Sequence, residues 1–338
     1  MSTGDLANAE SPQISAQYIN SNFVRKIEDG RIKEAEAAGS TFLRKRMRED
    51  SVARKILTPV TLTEDELDRA LDSDQPQKIV EKEPDSTATY VPFKGSGELT
   101  WFYGPRYAVR FGKVESQKFT KSKFELMTYR NDIRKILSDN SVKDMSSEED
   151  KKFMSTVRAG VAKDAASLSK QNIYATVGFT VEAFKSMFQR MIIAKKPIGK
   201  MLMSKHLFYD ALKLPLSEVG YTALTRQYDQ GIEGKDNLWG VPAITTIKCQ
   251  DESINVAGAG DLANYDVLGN GLTGENILYR NEVFLFAPEN WLGNFFLLQD
   301  ATLFIKQEAD LIQFWSYSAP GIGIGQTDAV IRLVIKDN

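Results

Sequence analysis

The order of apolar patterns along these 338 residues predicts an α+β fold. Three observations carry that reading. From Trp291 the chain runs WLGNFFLLQDATLFIKQEADLIQFWSYSAPGIGIGQTDAVIRLVIKDN, three short apolar, β-rich runs in succession. Upstream, stripes at spacings of three and four mark helices on both sides of alternating segments. Helices and strands also come in mixed order, without the regular βαβ alternation of a doubly wound sheet.

Residues 1–14 are small and polar and read as a tail. Residues 15–57 read as helix with a narrow stripe: Tyr18, Ile19, Phe23, Ile27 and Ile32, then Phe42, Leu43 and Met47. The remainder leans basic, through Arg44, Lys45, Arg46, Arg48, Arg54 and Lys55. So narrow a stripe cannot form a core alone and needs another surface.

Residues 61–86 lean acidic, with Glu64, Asp65, Glu66, Asp68, Asp72, Asp74, Glu81, Glu83 and Asp85 against Arg69, Lys78 and Lys82. TATYVPF and WFYGPRYAVRFGKV then alternate like strands around a KGSGE turn, and Tyr107, Val109 and Phe111 share a face. An isolated ribbon of this kind is marginal in water and implies a partner surface.

Residues 121–162 return to helix. Ser122 with Glu125 makes a capping box ahead of Leu126, Tyr129, Ile133, Ile136 and Leu137. A break is expected at SDNSVKDMSS, with Ser147 and Asp150 opening a second helix that buries Phe153, Val157 and Val161. Residues 180–193 make another, burying Val181, Phe184, Phe188, Met191 and Ile192. Residues 251–276 are a Gly- and Asn-rich loop. In the closing runs Leu303 and Ile305 alternate with Phe304 and Lys306. Ile312 and Phe314 share one face, and Ile331, Leu333 and Ile335 another. Turns at Glu308-Ala309-Asp310 and Pro320-Gly321 complete a strand meander.

Composition narrows the function. The formal charge is -2, which excludes nucleic-acid binding through an overall positive field. One cysteine, Cys249, and one histidine, His206, leave no disulfide framework and no Cys/His zinc site. They fall in different expected elements, so they do not read as a nucleophile pair, and a reducing compartment fits. The first residues, MSTGDLANAESPQ, have neither the basic nor the apolar region of a signal peptide. No run is long enough to span a membrane.

The motifs favour bland readings. GIGIGQ has its third glycine one position early for a dinucleotide fingerprint and precedes a strand, so it reads as a turn where glycine tolerates positive φ. The loop with Gly258, Gly260, Gly269, Gly271 and Gly274 lacks a P-loop Lys-Ser/Thr. Glu148 and Glu149 read as first-turn carboxylates facing water rather than an acid/base pair. RKRMR, residues 44–48, reads as a solvated helix face or a contact to another subunit ahead of nucleic acid. Trp101, Phe102, Tyr103, Tyr107 and Phe111 could stack bases, but only Arg106 and Arg110 accompany them, so a packing surface is preferred. Catalytic, cofactor-binding and metal-ligating residues are all expected to be absent. An enzyme seldom keeps so much packed sheet in its closing residues without a candidate catalytic side chain.

Three segments carry a resemblance. RYAVRFGKVESQKFTKSKFELMTY, SSEEDKKFM and the closing FFLLQDATLFIKQEADLIQFWSYSAPGIGIGQTDAVIRLVI follow, in order and spacing, the Hong Kong 97-type fold of tailed-bacteriophage major capsid proteins. The chain resembles that family over nearly its whole length. The resemblance implies an N-arm (1–60), an extended loop overlapping a neighbour (61–118), a peripheral domain with a spine helix (119–175 and 291–338) and an axial domain (176–290). It implies a homo-oligomer of hexamers and pentamers forming an icosahedral virion shell, assembled in the host cytoplasm. A separate scaffolding protein, a portal protein and packaged DNA held by non-specific contact are the expected partners, with room for a decoration protein and no membrane. The subunit-interface residues expected from this layout are Arg44, Arg46, Arg48, Asp68, Asp72, Asp74, Trp101, Tyr103 and Arg106. The competing readings are an encapsulin-like compartment shell on the same fold and, from another class, a carboxylate-site enzyme.

Overall fold

The computed structural model describes residues 16–70, 72–82, 90–96, 104–128, 133–165, 173–178, 180–210, 237–238, 240–251 and 268–336. Three helices lead, α1 (Ala16–Glu28), α2 (Ile32–Asp50) and α3 (Val52–Ile56). Short strands follow: β1 (Pro59–Thr61), β2 (Asp68–Arg69), β3 (Pro76–Glu81), β4 (Arg106–Arg110), β5 (Val114–Glu115) and β6 (Phe119–Ser122). Next come α4 (Lys123–Thr128), α5 (Ile133–Ile136), a π turn (Leu137–Val142) and the long α6 (Lys143–Ala165). Then β7 (Ile173–Val177), α7 (Val181–Ile193), β8 (Lys200–Ser204), α8 (Lys205–Asp210), β9 (Asn237–Leu238), β10 (Val241–Thr246), β11 (Cys249–Gln250), β12 (Leu278–Tyr279) and β13 (Glu282–Phe286). The chain closes with α9 (Glu289–Leu292), β14 (Gly293–Glu308), β15 (Leu311–Ile324) and β16 (Val330–Lys336).

The closing residues do not form a meander of three short strands. β14 and β15 make one long antiparallel hairpin, from Gly293↔Ile324 to Glu308↔Leu311, turning at Ala309 and Asp310. Pro320-Gly321 is not a turn: both residues lie inside β15. Pro320 faces Leu297 at the edge of a register irregularity, where a missing N–H costs the ladder little. β16 leaves the hairpin altogether. It joins a second sheet ordered β7-β16-β13-β8-β10-β9, antiparallel to β13 and parallel to β7. Val330, Ile331, Leu333, Val334 and Ile335 are all buried, so both faces of β16 are covered, not only the one carrying Ile331, Leu333 and Ile335.

The first sheet, ordered β1-β14-β15-β5 with β6 also on β15, supplies the surface that the leading helices need. Ile19, Phe23 and Ile27 of α1 and Phe42, Leu43 and Met47 of α2 pack with Leu303, Ile305, Ile312 and Phe314 in one cluster. The Phe23 and Phe314 rings stand 5.9 Å apart and Phe119 lies 5.6 Å from Phe314. Leu126, Ile133 and Leu137 complete that cluster, as the stripe predicts, while Tyr129 lies outside the described residues. Half of the predicted capping box is present, Ser122 N–H donating to Glu125 Oε2 at 3.2 Å.

Two helix expectations are corrected. No break separates α5 from α6. The polar SDNSV segment winds as the π turn, with Asn140 Nδ2 donating to the Ile136 carbonyl at 3.1 Å, and α6 already starts at Lys143. Ser147 and Asp150 therefore sit inside a helix; the acids there answer tertiary partners rather than a helix end. In α7, Ile192 is 64% exposed and Met187 is fully buried in its stead. Val181, Phe184, Met187 and Met191 follow the 3,4 spacing of one face, and Ile192 turns off it. Phe188 is half-buried against the same core.

The larger core lies between the second sheet and α3, α6 and α7. His206 is exposed on α8 and Cys249 is half-buried on β11, so the two lie on separate elements. Burial pushes the Cys249 thiol up. No helix among the described residues is long and apolar enough to cross a membrane.

Candidate subunit interface

The ribbon has a small buried cluster at its root, Leu62, Val109 and Phe296. β2, β3 and β4 form a three-stranded antiparallel sheet, with Gln77↔Arg110 at one end of the β3–β4 ladder and Glu81↔Arg106 at the other. The strand partner of RYAVR is thus PQKIVE, within the acidic segment. Tyr90–Phe93, the described part of TATYVPF, is not strand: Pro92 cannot donate to a ladder, and Gly95 N–H closes a turn on its carbonyl at 2.7 Å. Tyr90 and Phe93 are fully exposed there, and Val91 is partly so.

At the ribbon root, Tyr107, Val109 and Phe111 do share one face, as alternation predicts. They lie on β15, with Val109 buried beside Leu62 and Phe296. The Tyr107 hydroxyl accepts from Asn294 Nδ2 at 2.9 Å, and burial pushes the phenol pKa up. What they cover is Gly321, Gly323 and Gly325. None of these glycines has positive φ, which corrects the reading of GIGIGQ as a turn. Glycine is used there for close approach of backbone to side chains. Beside this root opens a groove of about 1080 Å³ between Val60 of β1, Val80 and Lys82 of the ribbon, and Trp291 and Asn294 of the body.

The charged residues expected at an interface divide into two groups. The ribbon acids bond within the ribbon: Asp72 Oδ2 accepts from Arg110 Nη2 at 2.8 Å, Asp74 pairs with Arg69, and Asp68 Oδ2 accepts from Ile79 N–H at 3.0 Å. Arg106 pairs with Glu81. On α2, Arg44 Nε donates to the Ala301 carbonyl at 3.0 Å, Arg46 pairs with Glu49 at 3.0 Å, and Arg48 is exposed. Within one chain the basic and acidic groups are not bonded to each other. Trp101 and Tyr103 lie outside the described residues.

Sequence reasoning missed the buried charges that fix the scaffold under this surface. Glu149, expected to face water, is fully buried. Arg54 of α3 forks onto it, reaches Asp300 of β14 at 2.9 Å, and Ser318 Oγ donates to it at 3.0 Å. Burial lowers the Arg54 pKa, and the bonds and charges of Glu149 and then Asp300 raise it by more. Beside it Asp150 Oδ1 accepts from Ser51 Oγ at 2.8 Å and Ala53 N–H at 2.9 Å, and Lys248 stands 3.3 Å from Oδ2. In the second sheet the Glu282 carboxylate lies between Arg158 and Arg332, all three buried. No local pattern marks these residues, since each partner is distant in sequence. Among the described residues no group of three or more His, Cys, Asp or Glu could hold a metal ion.

No protein-family model matches the chain, and no curated protein matches it in sequence. Solved structures do match in fold. The asymmetric unit of the bacteriophage PhiM1 mature capsid aligns at TM-score 0.54 and 10% identity, covering 85% of this chain and 87% of that one. A chain of Microbacterium phage Oxtober96 aligns at 0.51 and 9% identity, over 85% and 91%. The fold is the phage capsid fold of the Hong Kong 97 type. A chain of Mycobacterium phage Adephagia aligns at 0.50 and 9% identity, over 85% and 90%. At such identities what this capsid-fold chain shares with those structures is its backbone course.

Proposed function

We propose that the chain is a major capsid protein that self-assembles into hexamers and pentamers of an icosahedral shell enclosing a viral genome. The observation that supports this most is the capsid fold running through 85% of the chain, alongside 87% of the PhiM1 capsid chain. The fully exposed Tyr90 and Phe93 fit a surface meant for another subunit. In this reading residues 1–60 are the N-arm, 61–118 the extended loop, 119–175 and 291–338 the peripheral domain, and 176–290 the axial domain. The chain acts by assembly and not by turnover. Scaffolding and portal proteins and packaged DNA, held by non-specific contact, are its partners, with room for a decoration protein, in a virion assembled in the host cytoplasm. Arg44, Arg46, Arg48, Asp68, Asp72, Asp74, Trp101, Tyr103 and Arg106 serve contacts between subunits.

Negative-stain microscopy of the purified chain, alone and with scaffold, tests this. Closed icosahedral shells are expected. Small shells free of nucleic acid in the producing cell would favour a cargo compartment, and a chain that never assembles would overturn the proposal.

A further inference from the structure

The sequence places GIGIG and Tyr107-Ala108-Val109-Arg110-Phe111 far apart, yet the fold lays one along the other with matching period. A Cβ built on Gly321 would stand 2.6 Å from Phe111 Cδ1 and 3.2 Å from Val109 Cγ1. On Gly323 it would stand 2.5 Å from Val109 Cγ2 and 3.1 Å from Tyr107 Cε2. On Gly325 it would meet the Tyr107 hydroxyl and ring between 3.0 and 3.2 Å. Three alternate residues, Gly321 and Gly323 of β15 and Gly325 just past its end, thus receive Tyr107 and Val109 of β4 and Phe111 just past it, and every receiving position lacks a side chain. Backbone bonds lock the register: Phe111 bridges to Gly321, and Gly112 N–H donates to the Pro320 carbonyl at 3.1 Å. Asn294 holds the Tyr107 hydroxyl at the far end. Gly321 and Gly323 lie in regular extended strand. Glycine weakens a strand, so its repeated use here needs a reason, and close approach of another segment supplies one.

We infer that Gly321, Gly323 and Gly325 are a seat that fixes the direction in which the ribbon leaves the subunit, and that this direction sets which closed shell the subunits can build. The inference rests on the capsid-subunit reading for its second half only. Between Glu81 and Arg106 the ribbon takes in 24 further residues, so a tilt at the seat is passed on to whatever those residues touch in a neighbour. The seat is rigid because strand backbone and ring atoms are already in van der Waals contact and have no space to share.

The test uses Gly323→Ala and the double variant Gly323→Ala/Val109→Ala, in which the lost Val109 methyl groups make room for the new Cβ. Two readouts run together. The first is electron microscopy of assembled product. The second is the distance between spin labels at Asp74, on the ribbon, and Glu148, on α6, in unassembled subunits carrying Cys249→Ser. Gly323→Ala is expected to shift or broaden that distance and to lose the parent's regular shells, and the double variant to recover both. An unchanged distance, or a shifted distance with shells of parental diameter and yield, overturns the inference. So does a folded double variant that recovers neither. Should Gly323→Ala fail to fold, Gly325→Ala makes a milder overlap with Tyr107 and is read in the same way. A parent chain that forms no shells counts against the functional proposal alone, because the distance measurement still reports on the seat.

Discussion

The Arg54 guanidinium closes a two-bond fork on the Glu149 carboxylate, Nε to Oε2 at 2.8 Å and Nη2 to Oε1 at 2.9 Å, with both side chains inaccessible to solvent. Through Asp300 and Ser318 the same fork ties α3 and α6 to both strands of the long hairpin. Removing one partner strands a buried charge, which costs about 3–5 kcal/mol. Arg54→Met and Glu149→Met should each destabilise by that order in urea unfolding. The double variant should lose clearly less than the sum. Additive losses would mean that the two side chains act independently.

Glu282 should be the least replaceable residue of the second sheet. Its carboxylate is the anion between the buried guanidinium groups of Arg158 and Arg332, and it also accepts from Tyr279 N–H at 3.1 Å. Glu282→Gln keeps the shape and removes the charge, and a loss of about 3–5 kcal/mol in denaturant unfolding is expected. Near-neutral behaviour would show that the Glu282 charge is not what holds Arg158 and Arg332 in the core.

Asp150 predicts a pH dependence of unusual sign for a paired carboxylate. Burial raises its pKa above the ordinary 3.8, against the lowering pull of Lys248 and the bonds from Ala53 and Ser51. The folded state then holds the proton over an interval where the unfolded state has released it, so stability falls as pH rises through that interval. Asp150→Asn removes this titration and retains an acceptor for Ser51 and Ala53. The stability of the parent relative to this variant should therefore decline from about pH 4 upward. Urea midpoints across that range decide it; a relative stability that rises with pH would show that Lys248 outweighs burial.

Residues 16–56 should resist proteolysis before assembly. Phe42, Leu43 and Met47 are buried on the chain's own sheet, and Arg44 bonds to β14. Cleavage needs local opening, and a helix with so many buried contacts opens rarely. Limited trypsin digestion of unassembled subunits should leave Arg44, Arg46 and Arg48 uncut while the parent fold persists. Rapid cutting there, with protection only in shells, would show that the packing on β14 forms during assembly.

The charge bias of α2 and the ribbon can be separated by reversal. Arg44→Glu/Arg46→Glu/Arg48→Glu should impair shell formation, and adding Asp68→Lys/Asp72→Lys/Asp74→Lys should partly restore it if the two surfaces meet across subunits. Single exposed pairs contribute about 0–1 kcal/mol, but each contact repeats through a lattice. Asp72 and Asp74 already pair with Arg110 and Arg69 in their own ribbon, so a control with Arg110→Ala belongs in the series. Normal assembly with poor DNA packaging would instead place the basic face toward the genome.

Much of this protein was settled by its sequence alone. The stripe of α2 and most of those of α1 and α7, the shared face of Tyr107, Val109 and Phe111, and the alternation of Leu303 and Ile305 are periodic signals, and a residue's face follows from its spacing whatever lies opposite, although Tyr18 and Ile192 turn out exposed. The resemblance in order and spacing likewise pointed to the capsid fold. Tertiary structure alone decided where those faces went. Val330–Lys336 reads like a third strand of the hairpin but pairs with β13, because strand pairing is chosen by the edge that a buried strand meets and not by its own letters. Glu149 reads like a solvated first-turn acid, Asp150 like a residue that opens a helix with Ser147, and the Gly321 to Gly325 repeat like a turn. Their roles rest on Arg54, Lys248 and Tyr107, each close to a hundred or more residues away, and a local pattern carries no record of a partner brought in by folding.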